Sequence, residues 1–158
     1  MVRGYREPMS PAWDLIFRGL YRFLTLAGPI IRAWAGRFGL GNTVVLTVTG
    51  RRTGRPRSVA LGLIRVQGAW YLGHPNGDAS WTLNLRAAGG GSLRWPGQSP
   101  VRIVARELPA GDERRRAIAA TWHQHPFPGN VIYWLARRHI LAVGQYFRVQ
   151  IGPGDDAA

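Results

Sequence analysis

Apolar positions along the chain change period near Thr43. Upstream, Trp13, Ile16, Phe17, Leu20, Phe23, Leu24, Ala27, Ile30, Ile31 and Trp34 recur at spacings of three and four, which predicts an amphipathic helix. Ser10 and Pro11 suit its cap and first position, Gly28-Pro29 interrupts it, and Gly36, Gly39 and Gly41 end it. Downstream, residues 43–49 alternate β-branched and apolar types, Gly50 to Pro56 turn, and residues 57–66 extend again, the signature of a hairpin. Gln67-Gly68 makes a second turn, Ala69 to Gly73 a third strand, and Asn76-Gly77-Asp78 a loop. Ser80 to Ala88 reads as a short helix with Ser80 as its N-cap, closed by Gly89-Gly90-Gly91. Ser92 to Trp95 and Val101 to Leu108 form another hairpin. Gly111-Asp112-Glu113 opens a helix to about His123, a short helix covers Val131 to Arg137, and Ile140 to Ile151 contains the last strand. The expected fold is α+β, mainly antiparallel, with six strands closing into a small barrel decorated by helices. The expected organisation is one domain over residues 1–151, with a helical segment over 1–41, and a disordered tail over 152–158.

Charge narrows the partners. The chain has 158 residues, 46% hydrophobic, and a formal net charge of +13. Every one of its 21 basic residues is arginine. Such an excess calls for an anionic partner: nucleic acid, an acidic membrane or a polyanionic small molecule. Nucleic acid is the weakest of these, because the basic residues are spread along the chain and no recognition motif stands out. Without lysine there is no Schiff base and no Walker lysine. Without cysteine there is no disulfide, thiolate nucleophile or cysteine-ligated metal. The apolar run over residues 13–35 is broken by Asp14, Arg18, Arg22 and Arg32, so it does not read as a spanning helix. It either caps one end of the barrel or lies on an anionic membrane, its aromatic face flanked by arginines. The expected location is cytoplasmic, with peripheral contact on the inner face of the cell membrane.

Conventional catalytic groups are few. Asp112-Glu113 sits at a helix start, where carboxylates suit the dipole, and Asp155-Asp156 lies in the tail. Trp122-His123-Gln124-His125 offers two histidines without a third ligand nearby, so no metal site is expected. There is no Gly-x-Ser-x-Gly elbow, and Gly89-Gly90-Gly91 is not a dinucleotide loop. An enzyme with this composition would draw its chemistry from a cofactor. The strongest chemical signal is the turn Thr49-Gly50-Arg51-Arg52-Thr53-Gly54-Arg55-Pro56-Arg57. Gly50 and Gly54 permit positive φ there, backbone N–H groups of such a turn can face an anion, and guanidiniums offer paired donors to phosphate and carboxylate oxygens. Arg57 starts a strand, where period-two alternation can aim it to the concave side of the sheet. The bland alternative is a solvated hairpin tip.

That turn resembles the Thr-Gly-Arg-[Lys/Arg]-[Ser/Thr]-Gly-x-Pro-Arg signature of the deazaflavin-dependent nitroreductase family. Tyr71-Leu72-Gly73-His74-Pro75-Asn76-Gly77 followed by Trp81-Thr82-Leu83-Asn84-Leu85-Arg86-Ala87 resembles the family's strand, loop and Trp-x-x-Asn-Leu helix. The resemblance covers roughly residues 43–108. It implies a split β-barrel, coenzyme F420 as cofactor, and hydride transfer to an electron-poor acceptor such as a quinone, an enone or a nitroaromatic. It implies that Arg51, Arg52, Thr53, Arg55 and Arg57 hold the phosphate and polyglutamate tail, that His74, Pro75 and Asn76 lie along the deazaflavin, and that Trp81 and Asn84 sit near it. The family's tyrosine-rich substrate segment corresponds here to a stretch with Tyr133 alone, which makes Tyr133 the candidate proton donor and His125 the runner-up, with water as the alternative source. A non-catalytic lipid- or cofactor-binding relative of the same fold is the competing reading.

Overall fold

A computed structural model describes residues 12, 15–19, 22, 42–125 and 129–152. Six strands, β1 (Thr43–Thr49), β2 (Pro56–Val66), β3 (Ala69–His74), β4 (Gly90–Arg94), β5 (Val101–Glu107) and β6 (Gln145–Ile151), form a closed barrel in the order β1-β2-β3-β6-β5-β4. Every pairing is antiparallel. From residue 42 onward, the described residues form four helices around it: α1 (Ser80–Ala88), α2 (Asp112–Gln124), α3 (Gly129–Leu135) and α4 (Arg137–Val143).

Alternation along the strands sorts two cores. Val44, Leu46 and Val48 of β1, Leu63 of β2, Leu72 of β3, Leu93, Ile103, Phe147 and Val149 fill the barrel, with Trp81 and Leu85 of α1 packed onto them. Helix α1 therefore covers one end of the barrel, while Trp70 and Trp95 meet edge-on at 5.3 Å toward the other end of β3. On the outer face, Ile64, Tyr71 and Tyr146 join Ala117 and Ile118 of α2, Ala136, and Ile140 of α4 in a second core. Phe17, in the helical stretch 15–19, belongs to it and stacks on His139 at 5.8 Å. Ile16, Arg18 and Arg22 are exposed; the other N-terminal positions named above lie outside the described residues, as does the tail beyond Gly152. Gly152 itself is buried and donates its N–H to Arg102 O at 2.9 Å.

Three local expectations change. The N-cap of α1 is Ala79, not Ser80. The hydroxyl of Thr82 does the capping from inside the helix: it accepts from Ala79 N at 2.9 Å and donates to Ala79 O at 2.8 Å. The triple glycine is not all cap. Gly89 takes the left-handed conformation at φ 68°, but Gly90 and Gly91 already belong to β4, where a Cβ would collide with the carbonyl oxygens of Ile103 and Thr47. Small size there lets β4 fit between β5 and β1 and the barrel close. The short helix expected over Val131–Arg137 is two helices, with a turn at Ala136 that keeps Ala136 N→Ile132 O and Ile140 N→Ala136 O at 2.9 Å each.

Candidate functional site

The turn between β1 and β2 is held by its own backbone. Gly50 N donates to Arg55 O at 2.9 Å, Thr53 N and Gly54 N donate to Gly50 O at 3.2 and 2.8 Å, and Arg55 N reaches Thr53 Oγ1 at 3.4 Å. Only Gly54 has positive φ (65°). Gly50 is needed for space instead, because a Cβ there would lie 3.0 Å from Thr53 Oγ1 and 3.1 Å from Arg55 O. The expectation that the turn's N–H groups can face an anion is thus narrowed. Those of Gly50, Thr53, Gly54 and Arg55 are spent inside the turn and that of Arg51 on Asn84 Oδ1, so its anion-binding capacity rests mainly on guanidiniums.

Register decides where those guanidiniums go. Arg57 pairs with Val48, and Val59 with Leu46. Paired residues share a face, so Arg57 stands on the barrel's inner side at its rim. Opposite it lies α1. A cleft of about 460 Å³ opens between them, lined by Val48, Gly50, Arg51, Arg52, Thr53, Arg57, Ser58, Val59, Ser80, Trp81 and Asn84. Its lining carries three arginines and no carboxylate. The first turn of α1, which holds no acidic residue and no side-chain cap from its N-cap position, adds the positive end of the helix dipole.

The two walls are joined by one amide. Asn84 is buried, and its Oδ1 accepts from Arg51 N at 3.2 Å and from Arg51 Nη1 at 3.0 Å. Two donors on one atom fix which end of the amide faces the turn. Sequence reasoning placed Asn84 beside a ligand but missed this link to Arg51. Helix α1 is anchored at its far end by Arg86, which makes a two-point contact with Glu107 (Nε to Oε2 2.6 Å, Nη2 to Oε1 2.8 Å) and reaches Asp78 at 3.0 Å and Gln145 Oε1 at 2.8 Å. Hydrogen bonding to Glu107 raises the pKa of Arg86 further above its ordinary value. Asp78 and Glu107 are thereby occupied away from the cleft.

Of the remaining sequence candidates, Arg55 does not line the cleft. His74 is buried with its ring edge-on to Trp81 at 6.1 Å, and its Nδ1 lies 3.2 Å from Gly77 O. Burial is the main influence on it and pushes its pKa down. Pro75 is buried, and Asn76 Oδ1 accepts from His139 Nε2 at 2.8 Å. These three back the Trp81 wall and tie it to α4, rather than lining the cleft.

His125 and Tyr133 come together elsewhere, with ring centroids 4.6 Å apart. His125 lies over Gly62, where a Cβ would stand 3.1 Å from Nε2. Gly62 alternates with the inward Leu61 and Leu63, so this pair sits outside the barrel wall. The His125 Nδ1 to Thr121 O distance is 2.7 Å. A carbonyl only accepts, so Nδ1 carries the proton and Nε2 keeps its lone pair. Burial lowers the His125 pKa, which leaves a neutral imidazole at neutral pH, fitted to accept a proton and not to donate one. Beside it, the fully buried Tyr146 hydroxyl stands 3.0 Å from Thr121 Oγ1, which donates onward to Ala117 O at 3.0 Å. Desolvation pushes the Tyr146 pKa well above its ordinary value. Among the described residues, no three histidine, cysteine, aspartate or glutamate side chains stand together as a metal site, and no helix is long and apolar enough to cross a membrane.

The family model described as F420H(2)-dependent quinone reductase matches residues 26–131, about two thirds of the chain. Among solved structures, the fold is similar to a conserved hypothetical protein of Mycobacterium tuberculosis (16% identity, TM-score 0.56, covering 77% of this chain and 80% of that one). It is also similar to an F420-H2 dependent reductase, FDR-A (21%, 0.52, 70% and 95%), and to the heme storage protein HutZ of Vibrio cholerae (17%, 0.54, 80% and 90%). These likenesses establish the fold. No curated protein matches the chain. The donor set of the cleft suits a long anionic cofactor: three guanidiniums, a helix N-terminus and an indole wall, with no opposing carboxylate. Fold, site chemistry and family model agree, and the chain belongs to the F420H(2)-dependent quinone reductase family, as an oxidoreductase that uses coenzyme F420.

Proposed function

We propose that the cleft between the β1–β2 turn and α1 is the cofactor site. In this reading Arg51, Arg52 and Arg57 hold the phosphate and the glutamate tail, Thr53 closes the turn, and Trp81 offers a flat wall to the ring system. The single observation that carries it is the lining: three arginines and no acid around about 460 Å³. Arg55, outside the lining, contributes charge to the approach of the tail. His74 supports Trp81 from behind. Reduced coenzyme F420 supplies the hydride when bound, and the acceptor is a small quinone-type molecule, with an enone or nitroaromatic as close chemical alternatives.

Reducing a quinone to a hydroquinone takes a hydride and a proton. Arg51, Arg52 and Arg57 give the site a fixed positive field that favours an anionic product. Tyr133 is the proton donor we assign, and His125, whose ring centroid lies 4.6 Å from that of Tyr133, positions it rather than donating. A quinone dissolved in lipid would be met at a membrane surface, and peripheral contact with an anionic bilayer belongs to this reading.

The test of the cofactor site is titration of the fluorescent oxidised cofactor. A charge-assisted hydrogen bond contributes about 1.5–3 kcal/mol, so Arg52→Ala and Arg57→Ala should each raise Kd about tenfold or more. Unchanged affinity in both variants would remove the cleft as the site.

A further inference from the structure

We infer that the solvent-facing side of α3 and α4 is a docking face for an anionic lipid bilayer. This rests on the membrane contact proposed above and names the surface that makes it. Val131, Trp134, Leu135, Arg138, Leu141 and Ala142 are exposed in succession, at intervals of three, one, three, three and one. That is the stripe of a helix whose apolar side points outward. The exposures are large for such residues: 43% for Val131, 50% for Trp134, 52% for Leu135 and 39% for Leu141. The inner side of the same helices is already filled, since Ala136, His139 and Ile140 are buried and Ile132 and Tyr133 pack on the second core. Packing among the described residues therefore does not account for the outer stripe. A contiguous apolar face that folding leaves in water marks an interaction surface.

Charge selects the occupant. The segment Gly129–Val143 that forms α3 and α4 holds Arg137 and Arg138 and no aspartate or glutamate, whereas the nearby Arg115 and Arg148 are paired with Asp112 and Glu113. A second copy of a chain at +13 would bring like charge to like charge. An anionic headgroup layer is complementary. Arg137 has the geometry for such a boundary: its guanidinium lies 4.6 Å from the centre of the Trp134 ring and donates to Trp134 O at 2.9 Å. The pair presents an indole for the acyl boundary and a cation for the headgroups. Leu15 and Ile16, 72% and 49% exposed, directly precede Phe17, which stacks on His139 of α4, so a second pair of outward apolar residues is fastened to the same helix.

The experiment is sedimentation of the full chain with equimolar phosphatidylglycerol–phosphatidylcholine vesicles, and with phosphatidylcholine alone. The wild type should bind the anionic vesicles and not the neutral ones. Trp134→Ser combined with Leu135→Ser should lower partitioning about tenfold or more. Arg138→Glu, a change of two charges, should lower it about tenfold to thirtyfold. All variants should keep wild-type melting curves and cofactor affinity, because none of these residues lines the cleft. Binding by the wild type that both variants retain would overturn the docking face while leaving membrane contact in place. No binding by the wild type would overturn both. A dimer in sedimentation equilibrium that Trp134→Ser with Leu135→Ser dissolves would assign the face to a second copy and overturn the lipid assignment.

Discussion

Replacing Asn84 by alanine should damage cofactor binding without removing any group that carries charge. The Asn84 oxygen holds Arg51 through its backbone N at 3.2 Å and its Nη1 at 3.0 Å, so the variant releases the guanidinium from the cleft wall. Arg51 is exposed, and water replaces the lost acceptor. The stability cost is therefore near the modest end, about 1 kcal/mol. Binding loses more. A free arginine side chain carries about 2 kcal/mol of rotamer entropy, and the anionic tail must order it again. Part of that cost appears in Kd, which should rise about tenfold. Asn84→Asp separates pinning from charge. It keeps an acceptor for both hydrogen bonds and holds Arg51 more firmly, but adds a negative charge to a wall that has none. It should melt no lower than the wild type and still bind more weakly, with added salt narrowing the gap. The assay is fluorescence titration with the full cofactor and with a deazaflavin chromophore lacking phosphate and glutamates. The loss in Asn84→Ala should appear only with the tailed ligand. Equal affinity for the tailed cofactor, or an equal loss for the tail-less chromophore, would refute the pinning argument.

Two further outcomes are expected. Burial lowers the pKa of His74 and His125 from the ordinary 6.5, so between those depressed values and 6.5 the unfolded chain binds more protons than the folded one. Stability then rises with pH through that window, is fully present above about 6.5, and is lost as pH falls below it; thermal melts from pH 7.5 down to about 5 should show a falling Tm, and a flat profile would contradict the burial of both imidazoles. Tyr133→Phe should reduce the maximal rate of menadione reduction by the reduced cofactor while leaving cofactor Kd unchanged, whereas an unaltered rate would assign the proton to water.

Much of the barrel was legible because its strands alternate cleanly. The run from Thr43 to Thr49 buries Val44, Leu46 and Val48 as period two requires. The same rule carried Arg57 to the inner rim through its pairing with Val48. Helix boundaries were less legible where a side chain replaced the usual signal. Ser80 has the cap chemistry, but Thr82 reaches back to Ala79 and starts the helix one position earlier. The glycines at 89–91 read as one punctuation mark. They have two physical reasons, a left-handed cap at Gly89 and backbone crowding at Gly90 and Gly91, and the second depends on strands that lie far away in sequence.

Contacts between distant segments account for what the sequence hid in the site. Arg51 and Asn84 are 33 positions apart, and no periodicity links them. Each was visible alone, one as an arginine in a turn and the other as a polar residue on an apolar helix. Their joint role follows only from barrel closure, which sets α1 against the β1–β2 turn. His125 makes the converse point. An ordinary pKa near neutrality made it a plausible acid, yet Gly62 leaves room for the ring to pack against β2, and Thr121 O fixes the proton on Nδ1. Position on the outer wall and loss of solvent together turn a histidine that sequence alone would offer as a donor into one equipped to accept.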